Sequence, residues 1–273
     1  MRLYLNSSDS LTNKKYYLLR AAEKLGINVV ASTPQTLPEN VDYSLNIEPY
    51  ERFIPGNKWT GIWEIDLLLD RQDMNEINWQ LADTVFIAVN TIPDRLKKFK
   101  SKTRLLFQAC DPDLYKTKVI PEYDVVFSGS MHSPVYSERE RIYNIVKEFC
   151  NYKGFDNTGL FDYINILKLA KVQFIRSMKT PIGDGELAQR FFECLAIGPV
   201  LTNYVDDLKH TGLIEDTDYM AYRNDKDMLE KLSYLVKHPE FASKMAQNGA
   251  LKARMYHTYT NRLISILNTI NYG

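Results

Sequence analysis

The 273-residue chain carries only three cysteines, four histidines and no excess of charge of either sign. Cys110, Cys150 and Cys194 are too few and too scattered for a disulfide framework or a zinc site. They predict reduced, largely buried thiols and a cytoplasmic protein. His132, His210 and His238 have no ligand spacing with one another, so no metal site is expected. No stretch reaches the roughly 18–20 apolar residues of a bilayer span. The start, Met1-Arg2-Leu3-Tyr4-Leu5-Asn6, has no apolar core of a secretion signal and predicts a strand. Lys+Arg and Asp+Glu are equal at 34 each. That balance excludes a strongly basic nucleic-acid coat or an acidic tail, while a local patch can still hide in a neutral total. There is no phosphate-binding P-loop, no dinucleotide glycine fingerprint and no Ser/His/Asp or Cys/His signature. Nor is there an internal repeat or a low-complexity tract.

What is present is an ordinary globular composition, 45% hydrophobic and 25% charged, in a chain long enough for two domains. Short apolar runs alternate with amphipathic ones. Strands are expected at Arg2–Asn6, Asn28–Ser32, Tyr43–Ile47, Thr60–Ile65, Thr84–Val89 and Arg104–Ala109. Helical spacing covers Thr12–Leu25, closed by Gly26, and two stretches near 72–81 and 93–101. A second unit starts with the strand Tyr123–Ser128 and a helix from Ser137 to Cys150. It continues through helix Tyr163–Ala170, strand Val172–Ile175, a Gly-rich loop, helix Glu186–Ala196 and strand Pro199–Asn203. A strand at Tyr219–Tyr222 and helices at about 225–237, 239–254 and 258–270 follow, with Asp225 expected as an N-cap and Pro239 in a first turn. Strands alternating with helices predict parallel α/β sheets. We expect two Rossmann-like domains, 1–122 and 123–256, facing across a cleft, and a closing helix over 257–273. Ligands of such sheets sit outside the carboxyl ends of the strands.

The segment Gly183-Asp184-Gly185-Glu186-Leu187-Ala188-Gln189-Arg190-Phe191-Phe192-Glu193 is the most informative. Its glycines allow close backbone approach, and the helix that follows offers free N–H groups to anionic oxygens. Glu193 lies two turns in, where a carboxylate can accept two ribose hydroxyls; the ordinary alternative is a solvated residue on an amphipathic helix. Arg139 and Arg141 follow the small turn Gly129-Ser130 and could neutralise a departing diphosphate, or be plain surface charges. The same choice holds for Arg190. In the first half, Asp66 ends the run Gly61-Ile62-Trp63-Glu64-Ile65-Asp66, where a general base would face an acceptor hydroxyl; a cap or turn is its alternative. Ser7 and Asp9 in the first strand-to-helix loop are equally reachable.

The order of the Gly-rich loop, Arg190-Phe191-Phe192-Glu193-Cys194-Leu195-Ala196-Ile197-Gly198 and the closing His257-Thr258-Tyr259-Thr260-Asn261-Arg262 resembles the C-terminal domain of GT-B glycosyltransferases. It is most similar to the spore-maturation, CgeB-type group of the glycogen-synthase-like clan. Val125–Ser130 and Gln108–Tyr115 also look like that group's landmarks, and the resemblance covers about residues 104–270. It implies a nucleotide-diphosphate sugar, UDP- or GDP-linked, bound by the C-terminal domain, an acceptor bound by the N-terminal one, and no metal or other cofactor. It implies the donor ribose on Glu193, the diphosphate near Gly129, Ser130 and Arg190, and retention of anomeric configuration. The group's first glutamate falls where this chain has Gly185, with Glu186 one place later as the candidate replacement. His257 would cap or hinge the last helix rather than act as a base. A catalytically silent nucleotide-sugar-binding module is the rival class.

The acceptor is less determined. Asp94-Arg95-Leu96-Lys97-Lys98-Phe99-Lys100-Ser101-Lys102-Thr103-Arg104 sets six bases against one acid. A solvated helix face is one reading, and contact with a polyanion such as double-stranded DNA is the other. Abundant Asn, Ile, Lys and Tyr suggest an AT-rich coding genome. That is compatible with a bacteriophage enzyme acting in the host cytoplasm on hydroxymethylated bases, and equally with a bacterial enzyme decorating a surface polysaccharide, lipid or protein.

Overall fold

The computed structural model describes residues 2–7, 12–31, 40–47, 53–65, 72–115, 119–128, 137–155, 159–177 and 187–272. The chain divides into two compact units, one of Met1–Gln108 with Tyr259–Gly273, the other of Ala109–Thr180 with Asp184–Thr258.

The first unit holds strands β1 (Arg2–Ser7), β2 (Asn28–Ala31), β3 (Tyr43–Ile47), β4 (Trp59–Glu64), β5 (Thr84–Ile87) and β6 (Thr103–Leu105). They form a sheet in the order β2-β1-β3-β4-β5-β6, parallel at every step. Parallel pairs need crossovers that cover the sheet faces, so the central strands read as apolar runs; all six residues of β4 are buried. Helix α1 (Thr12–Lys24) buries Tyr17, Leu18, Ala21 and Ala22 on one stripe. It closes at Gly26, whose φ of 65° is the left-handed conformation that glycine tolerates. Helix α2 (Gln72–Leu81) seats Trp79 against Ile62, Val85 and Leu96.

The helical stretch expected near 93–101 is a 3-10 helix, Asp94–Lys102. Its two inward apolar residues, Leu96 and Phe99, are three apart, and a 3-10 turn eclipses that spacing. The last helix, α8 (Tyr259–Tyr272), belongs to this first unit. Tyr259 stacks on Tyr17 with centroids 5.0 Å apart, and Arg262 donates from Nε to the Phe107 carbonyl at 2.6 Å and from Nη2 to that of Gln108 at 3.0 Å.

The second unit contains β7 (Tyr123–Ser128), α3 (Ser137–Phe149), β8 (Tyr152–Phe155), α4 (Leu160–Leu167), β9 (Ala170–Ile175), α5 (Gln189–Ile197), β10 (Val200–Asn203), β11 (Met220–Tyr222), α6 (Asp225–Lys237) and α7 (Pro239–Tyr256). Its sheet runs β11-β10-β9-β7-β8, again parallel throughout. Strand β8 has no apolar run to announce it: it is an edge strand with Lys153 and Gly154 exposed. Asn224, not Asp225, caps α6, its Oδ1 accepting the Asp227 N–H at 2.9 Å. The cap needs extended backbone, and Asn224 has φ −153° and ψ 174°. Pro239 opens α7 as expected. Among the thiols, Cys110 and Cys194 are buried and Cys150 half-buried; burial pushes the Cys150 thiol up to about 11.

Helices α5 and α7 approach closely at Gly249. A Cβ there would lie 2.5 Å from the Asp218 carbonyl oxygen and 2.9 Å from Leu195 Cδ2. The first neighbour is backbone and cannot rotate away. Gly249→Ala should therefore lower stability by about 1–3 kcal/mol despite its better helix propensity. Urea denaturation measures this, and an unchanged or raised midpoint would contradict the packing described.

Candidate functional site

In a sheet of order 2-1-3-4-5, ligands collect at the carboxyl ends of the two strands where the winding reverses. In the second unit those strands are β7 and β9. Phe127 lies near the carboxyl end of β7, and Arg176 and Ser177 follow β9 directly. Helix α5 starts at the same edge and brings Gln189, Arg190 and Glu193 within its first two turns.

These side chains form one connected group. The Arg190 guanidinium lies over the Phe127 ring, 5.2 Å from its centroid, and over Tyr163 of α4 at 5.5 Å. Arg190 Nε donates to the Tyr163 hydroxyl at 3.2 Å, and that hydroxyl donates to Glu193 Oε2 at 2.9 Å. Gln189 Nε2 donates to Glu193 Oε1 at 2.7 Å. A phenol thus relays between a cation and a carboxylate. Burial, reinforced by the Glu193 charge, holds the Tyr163 phenol well above its usual range, so it remains a donor. Glu193 is 2% exposed; a carboxylate that deep is tolerated because both oxygens are hydrogen-bonded.

Arg139 reaches the same aromatic ring, its guanidinium 5.8 Å from the Phe127 centroid. Two cations therefore converge at the end of β7. Arg141 does not join them. It donates to both Glu138 oxygens at 2.7 and 3.0 Å and to both Asp225 oxygens at 2.6 and 3.1 Å. Hydrogen bonds from Arg141 hold the carboxyls of Glu138 and Asp225 below their ordinary values. Of the residues singled out in the sequence, Asp66, Gly129, Ser130, Gly185 and Glu186 lie outside the described residues.

Three neighbours were not anticipated. Arg176, one-tenth exposed, sits 3.6 Å from Glu138; a cation directly after a strand at the winding reversal was its signal. Asn203 ends β10 and accepts the Ser177 N–H at 2.6 Å through Oδ1. Its Nδ2 and the Ser177 hydroxyl are buried with no partner among the described residues. Tyr163 could not be linked to Glu193 by spacing, because the contact spans 30 positions. His257 is buried and stacked on Phe192 at 5.0 Å, and its carbonyl accepts the Cys110 N–H at 3.0 Å. Among the described residues, no cluster of His, Cys, Asp or Glu could hold a metal, and no helix is long and apolar enough to cross a membrane.

The first unit repeats the winding, reversing between β1 and β3. There Asn6 Nδ2 donates to Asn46 Oδ1 at 2.8 Å, and Asn46 Nδ2 to Ser44 Oγ at 2.8 Å. Ser7 Oγ, at the end of β1, is buried with no partner among the described residues.

A family profile described as "Glycosyl transferase-like" matches residues 117–268, more than half of the chain. The chain belongs to this family. It is a glycosyltransferase, and solved glycosyltransferases share its GT-B architecture of two Rossmann-like domains. AviGT4, a glycosyltransferase involved in avilamycin A biosynthesis, superposes with a TM-score of 0.67 at 10% identity, over 99% of this chain and 97% of its own. Anabaena Alr3699/HepE, solved in complex with UDP, gives 0.61 at 11% identity over 100% of both chains. A DNA-modifying β-glucosyltransferase, studied with and without uridine diphosphoglucose, gives 0.60 at 14% identity over 99% of this chain and 100% of its own. No curated protein matches the chain in sequence.

The relay predicts a stability effect separable from activity. Tyr163→Phe removes a donor from a buried carboxylate and an acceptor from Arg190. It should cost about 1–3 kcal/mol, seen as a lower urea midpoint with unchanged slope. A midpoint equal to wild type would mean that the phenol does not sustain Glu193.

Proposed function

We propose that this glycosyltransferase moves a sugar from a UDP- or GDP-sugar to an acceptor hydroxyl, the donor held by the C-terminal domain (123–256) and the acceptor by the N-terminal one (1–122), with 257–273 closing the fold. The observation that carries this reading is the group at the β7–β9 reversal, where Arg139 and Arg190 share one ring beside Glu193. A diphosphate needs such cations, together with the N–H groups of Gly129–Ser130 and of the loop holding Gly185 and Glu186. The ribose takes Glu193 by displacing the Gln189 amide, which exchanges one donor on Oε1 for another. As the acceptor oxygen bonds to the anomeric carbon, the bond from that carbon to the diphosphate oxygen breaks. Arg139 and Arg190 offset the charge that develops on the leaving group. The acceptor proton passes to Asp66, the proposed base. Arg141, already shared by two carboxylates, stands further from this role than Arg139. The placement in the CgeB-type group rests on the Arg190–Gly198 and His257–Arg262 motifs.

The test is nucleoside diphosphate release from UDP- and GDP-sugars in the presence of candidate acceptors. Wild type should turn over. Arg190→Met should lower kcat/KM by about 10²–10³-fold, and Glu193→Gln by about 10–100-fold, mostly in KM for the donor. Asp66→Asn should abolish turnover while retaining donor binding. Donor binding without any release by wild type would make the protein a silent binding module instead.

For the acceptor, we propose a polyanion, the hydroxymethylated DNA of a bacteriophage. Of the six cations in 94–104, Lys97 pairs with Asp94 and Lys98 with Glu76, and exposed pairs of this kind are weak enough to exchange partners. A saccharide, lipid or protein acceptor is the second reading. It is favoured by the structural engagement of Lys102, which donates to the Gln80 and Ala82 carbonyls at 3.0 and 2.7 Å. Binding to hydroxymethylated duplex DNA should weaken steeply between 50 and 200 mM salt, about tenfold or more. It should weaken similarly on replacing Lys97, Lys98 and Lys100 by Ala. Binding insensitive to both would reject the DNA acceptor.

A further inference from the structure

A cavity opens in the donor-type unit at the edge of its sheet opposite Arg190 and Glu193. It has a volume of about 460 Å³ and is lined by the starts of β9 and β10 and by the α6–α7 corner. Much of its wall is apolar, from Ile197, Pro199, Leu235, Val236 and Ala242, with Lys168, Lys171 and Ser243 as its polar members. The size suits a small ligand, and the position at the amino ends of the strands separates it from Arg190 and Glu193 at the carboxyl ends.

One charged side chain stands out in that wall. Lys168 lines the cavity and is 8% exposed, yet it has no carboxylate partner among the described residues. The neighbouring Lys171 is different: it pairs with Asp124 at 2.8 Å. Lys168 caps the carboxyl end of α4, where the helix dipole favours a cation by only about 0.3–1 kcal/mol. The stem is packed while the ammonium reaches the cavity, with no carboxylate there to pair it among the described residues. Burial accordingly holds its pKa below the ordinary value. Nothing in the glycosyl-transfer reading uses this lysine.

We propose that the cavity is a binding site for an amphiphilic anion, with an apolar body against Ile197, Leu235, Val236 and Ala242 and a single carboxylate or phosphate head on Lys168. An anionic head supplies the missing counter-charge, and water leaving the apolar wall supplies the remaining driving force. An uncharged amphiphile of equal length gains only the second contribution.

The probes are octanoate, octyl phosphate and octanol, titrated calorimetrically into the full chain. At least one of the two anions should bind saturably and at least tenfold tighter than octanol, and which of them does so identifies the head group. Lys168→Met keeps the aliphatic stem and removes the charge; it should erase that tenfold preference, and Lys168→Arg should restore it. Ala246→Trp, which fills the cavity from α7, should abolish binding of all three. Circular dichroism and the urea midpoint establish that each variant is folded. Anion binding undiminished in folded Lys168→Met or Ala246→Trp would overturn the proposal, as would the absence of saturable anion binding by wild type.

Discussion

A parallel strand cannot return through a tight turn; it must cross back over a face of its sheet before pairing again. Every ladder in both sheets obeys that constraint, and it has two effects. It buries both faces of the central strands, which is why β4 and β9 are almost wholly apolar in their surroundings. It also directs every strand's carboxyl end to one edge, so that polar residues leaving the strands meet there without any being close in sequence. Arg190 and Glu193 come to Phe127 and Tyr163 because α5 begins at that edge. The sheet is the device that gathers them.

The gathered group is rigid for electrostatic reasons. Glu193 is nearly inaccessible, and Tyr163 and Gln189 each donate to one of its oxygens while Arg190 stands behind the phenol. Arg139 and Arg190 differ from Arg141 on the same grounds. Two of them rest on the Phe127 face, and the third is locked between Glu138 and Asp225.

Much of this was legible in the sequence, and the limits have physical causes. The buried strands announced themselves because parallel sheets demand apolar runs, and Tyr43–Ile47 falls as expected to the residue. Edge strand β8 did not, because only one side of it is paired and its outward residues are polar. The 94–102 helix was legible as a helix but not in its type, because Leu96 and Phe99, three apart, fit both an α and a 3-10 turn. Asp225 and Asn224 are both good caps, and only the backbone angles separate them. Glu193 stands in the Arg190–Gly198 motif, and its burial was not foreseen as an alternative to a solvated place on the helix. Its partner Tyr163 was not readable, since long-range pairs leave no periodicity. The lone Lys168 was equally silent: a lysine near a helix end signals nothing until the absence of an acid around it can be seen.

The return of the last helix has a consequence for the order in which the molecule is made. Tyr17, Trp63 and the carbonyls of Phe107 and Gln108 leave the ribosome long before the residues that cover them, Tyr259 and Arg262. The strands of the second unit lie within one continuous stretch of the intervening chain, so its sheet can be completed first. The sheet of the first unit therefore reaches its final packing only after Tyr259 and Arg262 have been translated, and until then it carries an exposed aromatic face that the nascent chain must keep from other molecules.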